Sequence, residues 1–151
     1  MSSLSIVMPV YNEDRVIESL VRERICQPLH MDNTLVNVPP EMKSRMARGH
    51  DENLKPTPDL EITAIAGAGA LRSTINDLVK YVSANVGLTP SELAPLMQDM
   101  QVIRHHGTSY QWGNTAMPWV DHTVYNPPGS ELLGHGGGTG GFATFIGLDK
   151  L

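Results

Sequence analysis

Six glycines surround one histidine in the run Leu133-Gly134-His135-Gly136-Gly137-Gly138-Thr139-Gly140-Gly141-Phe142, and no other stretch constrains the fold as strongly. Glycine gives up side-chain packing and costs backbone entropy, so a cluster of it marks places where the chain turns tightly or another backbone or a ligand comes close. The next segment, Phe142-Ala143-Thr144-Phe145-Ile146-Gly147-Leu148, reads as a buried strand leaving the glycines. A ligand-facing edge carried on a rigid strand is the expectation for this end of the chain.

The 151 residues suit one domain. A net charge of -5 and a pI near 5.6 provide no basic stripe for nucleic acid or an anionic membrane surface. The single Cys26 allows no internal disulfide and reads as a small core residue in a reducing compartment. The opening Leu4–Val10 is apolar, but it has no basic leader and stops at Tyr11-Asn12-Glu13-Asp14. It reads as a strand, and the chain as cytoplasmic, since no apolar run reaches the roughly 20 residues of a membrane span.

Helical periodicity begins at Asn12, a candidate cap, and continues through Val16, Ile17, Leu20, Val21 and Ile25 until Pro28. Prolines at 39, 40, 56 and 58 make the following stretch irregular, with a helical turn expected at Glu41–Met46. Thr74 and Asp77 form a capping pair for a second helix whose apolar face is Ile75, Leu78, Val79, Val82 and Val86, ending at Gly87. Thr89-Pro90-Ser91-Glu92 has the pattern of a third helix start, ahead of Leu93, Leu96, Met97 and Met100. Short strands are expected at Tyr110–Gly113, around Trp119-Val120 and at Leu132-Leu133, with a turn at Asn126-Pro127-Pro128-Gly129. A strand, then helices, then strands gives an α+β fold, with a small antiparallel sheet packed against amphipathic helices.

Four segments together resemble the serine β-lactamase and penicillin-binding-protein superfamily, in its class C-like branch with esterases and D-amino-acid peptidases. Leu20–Thr34 is similar to a helix and loop where that family has Pro-Leu-Gly-Met, with His30 in place of the glycine. Ala66–Thr74 with Asp77-Leu78 resembles its glycine-rich turn into a helix. Gln111-Trp112-Gly113 is similar to its Gly-Trp strand, and His135-Gly136-Gly137 falls where it places Lys-Thr-Gly or His-x-Gly. The resemblance implies a partial β-lactamase-like fold over residues 15–151 of a single domain. It also implies a hydrolase acting on ester, lactone or β-lactam-like acyl substrates without a cofactor or metal.

The resemblance also implies a serine in Ser-x-x-Lys activated by that lysine and by a tyrosine in Tyr-x-Asn. No serine here has lysine three residues later, and no tyrosine has asparagine two later. The candidate catalytic residues are therefore His135, because histidine can exchange protons near neutral pH, with Ser130 and Ser73 as hydroxyl candidates. Ser109 is a more remote hydroxyl candidate. Ser73 also suits a place just before a helix start. Candidate substrate-binding residues are Gly136, Gly137, Gly138, Thr139 and Trp112. A non-catalytic remnant or binding module is the competing reading.

The first 14 residues resemble the opening strand of family 2 glycosyltransferases, so nucleotide-sugar binding is a third and weaker reading, and the chain has a chimeric look. His105-His106 and Asp121-His122 could offer metal ligands, yet neither has a recognised ligand spacing. A sheet edge left unpaired favours a homo-oligomer.

Overall fold

The computed structural model describes residues 13–58, 69–107, 113–123 and 129–150. The expected opening strand, the Asn12 cap, the Tyr110–Trp112 segment and most of the Asn126–Gly129 turn lie outside them.

Helix α1 spans Glu13–Val21 and runs on into a π-helical segment, Arg22–Cys26. Of the periodic residues, Val21 and Ile25 pack onto a cluster formed by Cys26, Leu29, Met31, Ala84 and Met97, while Val16 and Leu20 stand half exposed. The wider π turn changes the helical phase, so one stripe drawn at 3.6 residues per turn does not describe the buried side. The expected helical turn is a 3-10 helix, Pro40–Arg45.

Helix α2 spans Ile75–Asn85 and is capped by Thr74, whose side chain accepts the N–H of Asp77. The apolar face read from the sequence is only partly buried. Val82 and Val86 pack into the core, whereas Ile75 is 74% exposed and Val79 54%. The face turned inward instead carries Asp77, Tyr81 and Ala84. The helix runs past the end of the core, so hydrophobicity alone misassigns its first turns.

Helix α3 spans Ala94–Asp99, starting later than the Thr89-Pro90 pattern suggests. The N–H groups of Leu88 and Thr89 bond back to the Ser83 carbonyl and hold that stretch against α2. Ser91 closes the turn by accepting the N–H of Leu93 at 3.1 Å.

The sheet is antiparallel with order β1-β2-β3: Val120–Asp121, Glu131–Thr139 and Phe142–Lys150. β2 and β3 form a hairpin in register from Glu131↔Lys150 to Thr139↔Phe142, closed by Gly140 and Gly141. β1 pairs only with Leu133 and Gly134. The glycines thus do form a strand, and β3 is not the fully buried strand expected: Phe145 is exposed and only Leu148 is completely covered. The reason is that the covering layer is short. Tyr81 and Val82 of α2, with Val86 at its C-cap, reach Leu133, Leu148, Trp119 and Ala116, with Ile146 at the margin, and leave the hairpin's far half bare. Trp119 is 2% exposed, and its indole N–H has no hydrogen-bond partner among the described residues.

Candidate functional site

Side chains alternate across a strand, so Leu133, His135, Gly137 and Thr139 of β2 share one face with Leu148, Ile146, Thr144 and Phe142 of β3. The core covers the Leu133–Leu148 end of this face. A cleft of about 570 Å³ occupies the Gly137–Phe142 end. His135, exposed and paired with Ile146, stands at the boundary between the two.

Peptide groups alternate as well. The Leu132 carbonyl accepts the N–H of His122 at 2.7 Å on the β1 side, so the peptide groups of Gly134, Gly136 and Gly138 turn toward that same edge. Among the described residues, strand pairing on that edge ends at Gly134. The chain before β1 turns at Met117-Pro118, where Ala116 donates to the Trp119 carbonyl. Gly136 and Gly138 therefore turn backbone donors and acceptors to an edge that no other described strand pairs with.

Two loops build the opposite walls. Leu35 and Arg72 exchange backbone hydrogen bonds at 2.9 and 2.8 Å, and the Arg72 guanidinium donates to the carbonyls of Val36 and Ala70. This staple aligns Leu35 and Val38 with Leu71, while Met42 and Met46 come from the 3-10 helix and its exit. Arg45 donates to Asn33 Oδ1 at 3.1 Å. Among the described residues, the charged side chains on the cleft are Arg45 and Arg72.

Beneath the wall lies Asp77, 1% exposed. Its Oδ2 accepts the N–H of Asn33 at 2.7 Å and the hydroxyl of Thr34 at 3.2 Å, and its Oδ1 takes the Lys80 ammonium at 3.1 Å. Lys80 also donates to the His30 carbonyl. The Thr34 hydroxyl lies 2.8 Å from that of Ser73. A buried carboxylate is tolerated when its lone pairs are used in this way, and here it fixes both Asn33 and Ser73, two residues of the lining.

The structure brings together Ser73, Gly137, Gly138 and Thr139 on the cleft, with His135 and Gly136 along its rim. Ser130 is apart: it lies five residue steps before His135, about 16 Å at the strand rise. Trp112 and Ser109 lie outside the described residues. Asn33 and Thr34, in an irregular loop, and Arg45, at the end of the 3-10 helix, were not singled out from sequence, because Asp77 holds Asn33 and Thr34 and Arg45 is joined to Asn33. The Thr74-x-x-Asp77 spacing was a signal, but it pointed to capping alone.

Elsewhere, His106 Nδ1 lies 3.3 Å from Asn114 Oδ1, and Asn114 donates to Asp121 Oδ2 at 3.1 Å. Burial raises the Asp121 carboxyl, but the hydroxyl and backbone N–H of Thr123, the Asn114 amide and the charge of His122 outweigh it and hold the carboxyl below its ordinary range. Among the described residues, no three His, Cys, Asp or Glu side chains group as a metal site. No helix among them is long and apolar enough to cross a membrane.

A family model described as Beta-lactamase matches residues 11–150, so the first ten residues fall outside it. A class C beta lactamase from Rhodobacter sphaeroides superposes with a TM-score of 0.71 at 19% identity, covering 87% of this chain and 45% of that one. A beta-lactamase/D-alanine carboxypeptidase from Pseudomonas syringae gives 0.71 at 18%, with 87% and 44% covered. A curated relative from Aspergillus campestris, named an unguisins hydrolase, is 30% identical over 144 residues, and the chain spans 26% of its length. The chain thus spans under half of these structures and about a quarter of that relative.

Proposed function

Because the chain belongs to the beta-lactamase family, within a hydrolase-like superfamily that includes a hydrolase-named fungal relative, we propose that its cleft is the acyl-holding part of a hydrolase site. The substrates would be esters, lactones or β-lactam-like amides. The observation that carries this reading is the Gly136–Gly138 rim, which pairs with no strand among the described residues on its β1 side, beside a walled cleft. An acyl substrate needs donors for its carbonyl and a surface for its chain, and here peptide groups provide the first without a side chain in the way. Leu35, Val38, Met42 and Met46 provide the second. The Arg45 guanidinium on the wall favours substrates that also carry a carboxylate. His135, on the rim, is the group positioned to exchange a proton with bound substrate, and Ser73 is the hydroxyl on the wall.

A second reading, binding without turnover, is favoured by one observation. The hydrogen bonds of Ser73 run to Thr34 and Thr74, and no Ser-x-x-Lys is present.

The test is hydrolysis of p-nitrophenyl butyrate and a chromogenic cephalosporin by the protein and by His135→Ala, with equilibrium binding of phenylboronic acid alongside. Turnover that His135→Ala abolishes is the expected result. Boronate binding with no turnover selects the second reading, and neither binding nor turnover overturns both.

A further inference from the structure

We propose that Arg45, oriented by Asn33, is the specificity-determining residue of this cleft and selects acyl substrates in which an apolar segment separates the reacting carbonyl from a carboxylate. This inference rests on the cleft being an acyl site. A guanidinium has five N–H donors. One, on Nη1, goes to Asn33 Oδ1 at 3.1 Å, and the others have no partner among the described residues. The ion pairs among those residues are Lys80–Asp77 and Arg104–Asp99, so no described carboxylate balances the charge of Arg45. A planar fork with unused donors on a cleft wall suits a carboxylate, which it can meet with two parallel hydrogen bonds.

The fork is held from both sides. Asn33 is itself anchored, since its backbone N–H bonds to the buried carboxylate of Asp77 at 2.7 Å. Arg45 closes the 3-10 helix that Pro39 and Pro40 open, and the N–H of Met46 returns to the Lys43 carbonyl. Four residues further on, the backbone at Gly49 and His50 is bonded to Thr57 and to the hairpin tip at Gly141. The wall that bears Arg45 and the rim that bears Gly138 are therefore parts of one framework, which lowers the ordering cost of binding.

Leu35, Val38, Met42 and Met46 line the cleft together with Arg45 and Gly138. A ligand that engages both the rim and Arg45 thus meets apolar side chains with its remaining length. From Met42 to His50 every charged side chain is basic, Lys43, Arg45 and Arg48, and this local excess in a chain of net charge -5 draws anions to the wall. Asn33 matters because a neutral amide orients the guanidinium and leaves its charge in place, whereas an aspartate there would neutralise it.

The test is binding of three pairs of amides, followed by NMR titration. Succinamic, adipamic and suberamic acids are each compared with the neutral alkanamide of the same carbon number. The unaltered protein should bind the carboxylate member of at least one pair about tenfold more tightly or better, and a rise in sodium chloride from about 0.05 to about 0.5 M should shrink that preference. Arg45→Gln and Asn33→Asp should each abolish it with neutral amides bound as before, and Arg45→Lys should keep part of it. A role confined to folding would not move a preference for charge. Equal affinities within every pair in the unaltered protein overturn the proposal without any variant, as does a preference that survives Arg45→Gln or Asn33→Asp. A protein that turns over p-nitrophenyl butyrate but binds no amide, or binds both members of each pair equally, loses the Arg45 selectivity and keeps the acyl cleft. Absence of amide binding and of turnover removes both.

Discussion

The carbonyl of Gly141 accepts the backbone N–H of His50 at 3.0 Å, so the tip of the β2–β3 hairpin is held by a loop about ninety residues earlier in the chain. Thr57 completes the clasp. Its N–H bonds to the Gly49 carbonyl at 2.8 Å, and its hydroxyl donates to the Gly140 carbonyl at 3.3 Å. The end of the cleft rim is therefore fixed from outside the sheet.

Gly141 has φ of +81°, and a Cβ there would come within 2.6 Å of the His50 nitrogen and 2.8 Å of the Gly49 carbonyl carbon. Gly141→Ala should lower stability by about 2–3 kcal/mol, combining backbone strain with overpacking against atoms that cannot rotate away. Urea unfolding measures the loss, and hydrogen exchange at the His50 amide should speed up with it.

His30 adopts φ of +55° on an exposed loop, at the position where the resembling family has glycine. His30→Gly should raise stability by about 0.5–1 kcal/mol, because relief of left-handed strain exceeds the added freedom of the unfolded chain. The midpoint of thermal unfolding should rise, while the His30 carbonyl keeps its bond from Lys80.

Asp121 titrates below its ordinary value in the folded protein. Its contribution to stability is then complete above the unfolded carboxylate range, near pH 3.9, and is lost as pH falls from there through the lower folded value. Asp121→Asn should flatten the acid limb of stability plotted against pH below about 4. Urea midpoints between pH 2.5 and 6 test this, and an unchanged acid limb would contradict it.

The stripe on α2 separates two kinds of substitution. Ile75→Ser and Val79→Ser, on the exposed turns, should each change stability by less than about 0.5 kcal/mol. Val82→Ala, in the layer over the sheet, should cost about 1–2 kcal/mol. Equal costs at Val79 and Val82 would show that the exposed half of the stripe is covered in solution.

Cys26 is buried, and first that burial and then the charge of Asp77 push its thiol up. At pH 8 it should react with a disulfide reagent at a small fraction of the rate of a free thiol. In denaturant the reaction should become stoichiometric and fast.

Much of the fold was legible where a local signal and the tertiary context agree. The Thr74 cap, the short strand beside Trp119, the β2–β3 hairpin and the turn at Glu41 follow from capping, hydrophobicity, glycine and proline. The inward face of α2 was not legible, since it depends on where the covering layer stops, and Asp77 is a polar residue on a buried side. The cleft was half legible. Glycine clustering pointed to its rim, but Thr34, Asn33 and Arg45 reach the wall only through a carboxylate more than thirty residues away, a separation that no local period encodes.

The indole N–H of Trp119, enclosed beside Leu133 and Leu148 with no partner among the described residues, makes this side chain an optical gauge. An indole in an apolar, waterless setting emits at short wavelength, and Trp119 sits where α2 meets the sheet. Any event that lifts α2 from the sheet admits water to that nitrogen and shifts the emission to the red. In a Trp112→Phe variant, where Trp119 is the one remaining tryptophan, removal of one layer from the other can thus be followed by the light of this residue, separately from changes confined to the cleft.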